Sequence, residues 1–252
     1  MQQLNGKIAL ITGGGSGIGR ETAVLFAQHG ATIAIADLDP DGGQETVQMI
    51  RDAGGTAVFI QTDVSQAAQV ENMVNVVVAE YGRLDIAFNN AGIEGAPVRT
   101  IDVTEAEFDQ IMAVNAKGVW LCLKYEIPQM LLQGGGTIIN TASVAGLIGA
   151  HSMPAYAASK HAVVGLTRTA AVEYARKGIR VNAVCPAIIR TPMVERAIAQ
   201  LPKLEQGAIM NNPSRRLGDP HEVAQAVLWL ASDASSFTTG ATLTVDGGLT
   251  AQ

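Results

Sequence analysis

A chain of 252 residues, 48 % hydrophobic and 16 % charged, is long enough to bury one sizeable core and too apolar to be disordered. Its 17 basic and 23 acidic residues give a net charge of −6, and 4 % aromatics with no basic run longer than a doublet exclude nucleic acid as a natural partner. Residues 127–159 carry no Asp, Glu, Lys or Arg, but glycines and prolines interrupt any membrane span, and the start lacks a signal-peptide pattern, so a cytoplasmic location away from membranes is expected.

The first β-branched run, 7–12, predicts a strand. It leads into Thr12-Gly13-Gly14-Gly15-Ser16-Gly17-Ile18-Gly19 and a helical run to His29. Glycines at such a junction let backbone approach a pyrophosphate, and the following helix N-terminus offers free N–H groups. A P-loop is excluded, because Arg20-Glu21 stand where Lys and Ser/Thr are needed. The second strand, 32–37, ends on Asp37, where a carboxylate can accept from both hydroxyls of an adenosine ribose and repel a 2′-phosphate. No base follows at Leu38, so NAD is expected rather than NADP; the competing reading of Asp37 is a helix N-cap.

Further strands are predicted at 56–61, followed by Asp63-Val64, and at 84–89, followed by Asn89-Asn90-Ala91-Gly92. Thr104 with Glu107 predicts a capping box, and Asn115 lies in the helical run beyond it. After the strand at 136–141 comes Ser143, then Tyr156-Ala-Ala-Ser-Lys160, whose spacing stacks phenol and ammonium on one helix face. An ammonium about 4.5 Å from a phenol is worth roughly 3.7 kcal/mol at an effective dielectric near 20, which would draw the tyrosine down toward neutral pH. The strand at 180–185 precedes Pro186, and a second capping box is predicted at Asp219-Pro220 with Glu222. The strand at 241–245 precedes Asp246-Gly247-Gly248. Cys122 and Cys185, 63 residues apart, are expected to be buried thiols. Seven β-α units predict an α/β single domain spanning 1–252, a Rossmann-type doubly wound parallel sheet with helices on both faces.

Together these segments resemble the compact branch of the short-chain dehydrogenase/reductase family over nearly the whole chain. The resemblance implies an NAD-dependent oxidoreductase interconverting a secondary alcohol and a ketone. Tyr156 would be its acid/base, Lys160 would lower the tyrosine's pKa and bind ribose, Ser143 would hold the substrate oxygen, and Asn115 would hold a helix kink and a water relaying protons to Lys160. It further implies that Asp63 and Val64 bracket adenine, that Asn89, Ala91 and Gly92 line the cofactor with Gly13, Ser16, Gly17, Ile18, Gly19 and Asp37, and that Pro186, Ile189 and Thr191 complete the site. Ala187 departs from the glycine usual after this proline. No metal is expected. The chemistry needs none, and no His/Cys cluster exists. Ile93, Val144, Leu147, Ile148, Met153, Ile188, Met193 and Met210, the last in a substrate lid at about 188–216, are expected to enclose an apolar alcohol. The alternative is a 3-oxoacyl-carrier-protein reductase, disfavoured by Asp37. A homotetramer is expected, paired through helices near 116–132 and 155–175, and the tail ending at Gln252 is read as packing rather than as a magnesium ligand.

Overall fold

The computed structural model describes residues 2–200 and 203–252. Strands β1 (Ile8–Thr12), β2 (Thr32–Asp37), β3 (Ala57–Gln61), β4 (Ile86–Asn89), β5 (Gly136–Thr141), β6 (Ile179–Pro186) and β7 (Thr242–Val245) form one parallel sheet in the order β3-β2-β1-β4-β5-β6-β7. The expected boundaries shift by one or two residues. Lys7 and Thr56 still bond to the sheet, but through their carbonyls alone, accepting from the Thr32 and Ile33 N–H groups.

Burial on both faces explains why the strands are continuous apolar runs. Along β1, Leu10 packs into one core while Ala9 and Ile11 pack into the other, as period-two alternation requires. Helices α1 (Gly17–Gln28), α2 (Pro40–Asp52) and α9 (Pro220–Ala231) cover the Ile11 face. Helices α3 (Ala67–Tyr81), α5 (Gly118–Leu132) and α6 (Pro154–Tyr174) cover the other. The uncharged stretch 127–159 runs from α5 through buried β5 into the start of α6.

Helix starts follow the expected chemistry with one correction. Asp219 and Glu222 form a full capping box on α9. On α4 (Glu105–Met112) only half a box forms: Thr104 accepts from the Glu107 N–H, while the Glu107 carboxylate accepts from the Ala96 N–H at 2.9 Å. A π-helical turn, Ala113–Lys117, joins α4 to α5 and contains Asn115. Within 188–216 lie two short helices, α7 (Pro192–Gln200) and α8 (Lys203–Asn211); residues 201 and 202 lie outside the described ones.

Candidate active site

The sheet order reverses between β1 and β4, and the loops beyond their carboxyl ends part around a cleft of about 560 Å³. Gly13, Ser16, Gly17 and Ile18 form one wall. At Gly13, φ is +65° and a Cβ would lie 2.9 Å from Ala91 Cα, so a side chain is excluded by both strain and space. Gly19, expected among the cofactor ligands, is buried on α1 instead. A side chain there would strike the Gly13 carbonyl, so this glycine lets the helix pack against its own turn. Ser16 precedes α1 without capping it, whereas Asp39 and Asp219 cap α2 and α9; the first N–H groups of α1 therefore lack a side-chain acceptor.

Asp37 stands at the rim of the cleft. One carboxylate oxygen accepts from the Gly15 N–H at 2.8 Å and the other from the Asp39 N–H at 3.0 Å. The N-cap of α2 is Asp39, which disposes of the competing reading of Asp37. Arg20 is committed elsewhere, donating to the Gly15 and Gly42 carbonyls and the Glu45 carboxylate. Asp63 and Val64 line the same cleft, with Asp63 Oδ1 accepting from the Ser65 N–H and hydroxyl.

Beyond β4, Ala91 and Gly92 line the cleft but Asn89 does not, a correction to the expected set. Its side chain turns into the core, where Nδ2 donates to Glu126 Oε2 and Asn140 Oδ1, both at 3.0 Å. Asn90 faces the cleft and donates to the Thr12 and Gly13 carbonyls, joining the β1 and β4 loops. Ile189 is also displaced from the expected site: it is buried in the core beside Gly218, while Thr191 faces the cleft against Gly17. Pro186 closes β6, and its carbonyl accepts from Ser143 Oγ at 3.4 Å. Of the eight apolar residues expected around substrate, Ile93 and Met193 line the cleft, whereas Ile148, Ile188 and Met210 are exposed.

The deep end of the cleft holds Tyr156 and Lys160. Lys160 is 4 % exposed and donates to the Thr141 carbonyl at 2.8 Å, with Nζ 5.5 Å from the Tyr156 ring centre. Burial lowers this lysine to about 8. Tyr156 behaves contrary to expectation. Burial pushes its phenol above the ordinary value, the Ser143 hydroxyl opposes the rise, and the charge of Glu94 adds to it. Desolvation of the phenolate therefore sets the direction of the shift.

Asn115 is fully buried. Its Oδ1 accepts from the Ile93 N–H at 2.8 Å, and Nδ2 donates to the Ile93 carbonyl and to Ser159 Oγ. The side chain thus clamps the β4 loop to α6, with its direct bonds going to Ile93 and Ser159 rather than to Lys160. The Thr141 carbonyl and Ser159 went unassigned in the sequence; a backbone acceptor leaves no sequence signal, while Ser159 sat unused inside the Tyr156-Lys160 segment.

A second cavity, of about 580 Å³, lies at the opposite strand ends. Three of its charged groups are spent on the fold: Arg83 pairs with Asp85, and Arg180 donates to the Leu230 and Ser232 carbonyls. Among the described residues no group of three potential metal ligands occurs.

Residues 13–250 match a family model described as enoyl-(acyl carrier protein) reductase. A 2,5-dichloro-2,5-cyclohexadiene-1,4-diol dehydrogenase of Sphingobium indicum is 45 % identical over the full length of both chains. A 3-oxoacyl-[acyl-carrier-protein] reductase of Thermotoga maritima is 41 % identical, covering 98 % of this chain and 99 % of that one. The crystal structure of levodione reductase superposes with a TM-score of 0.95 at 42 % identity, covering 98 % and 99 % of the two chains. With this fold, and with a family match that spans the cleft from its glycine turn to the last strand, the chain belongs to the short-chain dehydrogenase/reductase family of nicotinamide-dependent oxidoreductases.

Proposed function

We propose that the protein is an NAD-dependent dehydrogenase that interconverts a cyclic secondary alcohol and its ketone. The observation that carries this reading is a single cleft with an uncapped helix start and a fixed Asp37 at one end and Tyr156 with Lys160 at the other. NAD fits these residues. The Gly13 and Gly17 backbone and the open N-terminus of α1 would hold the pyrophosphate, Asp37 the adenosine ribose, Asp63 and Val64 the adenine, and Ala91, Gly92 and Thr191 the remainder. When bound, the nicotinamide supplies the acceptor for the hydride that leaves the alcohol carbon. Tyr156 takes the hydroxyl proton in that step, Ser143 orients the oxygen, and Lys160, fixed by the Thr141 carbonyl, stabilises the phenolate. Asn115 holds the β4 loop against α6 so that these groups keep their spacing. The helices of 188–216 serve as the lid over this site.

Selectivity for NAD follows from the fixed carboxylate of Asp37 and the prior commitment of Arg20. A 2′-phosphate would meet a negative charge while Arg20 is already bonded elsewhere, so kcat/KM with NAD should exceed that with NADP by at least about 100-fold, or ~2.7 kcal/mol. Absorbance at the reduced-nicotinamide band over a panel of cyclic, aliphatic and sugar alcohols checks both points. Equal rates with the two cofactors would refute the Asp37 assignment, and NADPH-linked reduction of a 3-oxoacyl thioester in place of alcohol oxidation would move the protein to the acyl-carrier class.

The same reading takes the protein to be a cytoplasmic homotetramer, in keeping with buried free thiols at Cys122 and Cys185. Apolar side chains lie outward on both expected interface helices, Trp120 and Leu132 on α5 and Val172, 83 % exposed, on α6. Light scattering should return four times the chain mass; a monomer would refute the assembly.

A further inference from the structure

The glycine turn at the cofactor end of the cleft is tied from behind by two side chains to which the proposed function gives no direct contact, Arg20 of α1 and Thr46 of α2. Thr46 is fully buried, and its Oγ1 stands 3.0 Å from the Gly14 carbonyl, 3.0 Å from the Gly42 carbonyl and 3.0 Å from Arg20 Nε. Arg20 donates into that oxygen, so the hydroxyl proton is left to the two carbonyls. A threonine inside a helix often bonds back to the carbonyl four residues earlier, here Gly42, but Gly14 lies 32 residues away in another segment. The same guanidinium reaches one residue further along the turn, where Nη2 donates to the Gly15 carbonyl as well as to Glu45 Oε2 at 2.6 Å. Two successive carbonyls of the turn are therefore held.

The Gly14 carbonyl and the Gly15 N–H belong to one planar trans peptide and point in opposite directions. Thr46 meets the oxygen of this plane, and Asp37 Oδ2 accepts from its N–H at 2.8 Å. Turning the plane would break both bonds together. The carboxylate also lies directly against the turn, since a Cβ on Gly15 would stand 2.8 Å from Asp37 Oδ2. Without this peptide, Asp37 would keep only the bond that Oδ1 accepts from the Asp39 N–H.

We infer that Thr46 and Arg20 are positioning residues for cofactor selectivity: by fixing the Gly14-Gly15 peptide they hold the Asp37 carboxylate in the orientation that receives an adenosine ribose and repels a 2′-phosphate. This rests on the assignment of Asp37 given above and adds the residues that keep its carboxylate in place. A carboxylate that can swing away loses its ribose bonds, which weakens NAD, and withdraws its repulsion, which favours NADP. The effect therefore falls on the difference between two affinities.

Calorimetric titration of NAD and NADP into the wild-type protein, Thr46→Val, Thr46→Ser and Arg20→Gln tests the inference. The wild type should bind NAD at least about 100-fold more tightly than NADP, and Thr46→Val, which keeps the shape and removes the hydroxyl, should lower that ratio roughly tenfold. Thr46→Ser keeps the hydroxyl and should hold the ratio within about twofold of the wild type. Arg20→Gln gives the sharper sign, because losing a positive charge beside the site would by itself weaken NADP and raise the ratio, whereas losing the positioning lowers it. Arg20 is only partly buried, so this variant also supplies the comparison if Thr46→Val folds poorly. A ratio unchanged or raised in Arg20→Gln or in a folded Thr46→Val overturns the inference, including the case in which both affinities fall equally, as a merely structural role would have it. A wild type without preference for NAD overturns the Asp37 assignment itself, and the inference with it.

Discussion

Tyr156→Phe should lower kcat at least ~100-fold while the dissociation constant for NAD stays within about twofold. The substitution removes one oxygen from a side chain that lines the cleft beside Lys160, so the shape of the cleft is kept and only proton transfer is lost. Lys160→Ala should differ in kind, lowering kcat and weakening NAD together, because that one ammonium faces both the phenol and the floor of the cleft. Rapid-mixing turnover and fluorescence titration of the cofactor separate the two effects. A Tyr156→Phe protein keeping more than a tenth of wild-type kcat would end the acid/base assignment. The raised phenol also gives the wild type a direction with pH: alcohol oxidation should accelerate as the solution becomes more alkaline, since the proton-accepting form is scarce at neutrality.

Glu126→Gln should stabilise the fold by about 3 kcal/mol at pH 8 and by nothing measurable near pH 4.5. Glu126 is fully buried on α5, and burial raises it from 4.5 to about 7, an effect only partly offset by the bond from Asn89. Between those two values the folded chain retains a proton that the unfolded chain has released, so wild-type stability falls as the pH rises from about 4.5 to 7. Above 7 the full penalty remains, and 2.5 pK units at about 1.36 kcal/mol each set its size. Among the described residues, Glu126 Oε1 and Asn89 Oδ1 lack hydrogen-bond partners, the signature of too many acceptors in one place when the carboxyl is ionised. Glutamine keeps the shape and removes the charge. Thermal melts of both proteins at pH 5 and pH 8 check this, at roughly 2–4 °C per kcal/mol for a chain of this size; an equal difference at the two pH values would show that the charge is not the cause.

The sheet was legible because its signal is repeated: the inner strands are apolar runs buried on two faces, the edge strand β7 is short and partly exposed, and the runs alternate with helical periods. The glycine turn, Asp37, Tyr156 and Lys160 were legible because backbone approach and side-chain pairing constrain residue type at fixed spacing. Asn89, Gly19 and Ile189 show where that legibility stops. Asn89 and Gly19 each adjoin a residue that lines the cleft, and Ile189 stands two before one, Thr191, but nearness in sequence does not say which side chain faces in. The tyrosine shift failed for a different reason. Spacing reports the lysine's proximity but not how much water the fold removes, and here burial governs the sign. The helices in 188–216 were hidden by their brevity: each has nine residues, which leaves a helical period little more than two turns in which to show.

The reversal of strand order between β1 and β4 also has a kinetic side. A chain emerging from its N-terminus can assemble β1, β2 and β3 once residue 61 is out, because each neighbour follows the last along the chain. The inner edge of β1 then stays unpaired until Ile86 arrives to meet Ala9, and Asp85 arrives just ahead of it with the carboxylate that accepts the Ile8 N–H. That edge is apolar and flat, the kind of surface to which a second nascent chain can add a strand. The seam at the reversal of strand order is thus the last gap to close among these four strands, and a chain still waiting for β4 is the one open to a neighbour's strand.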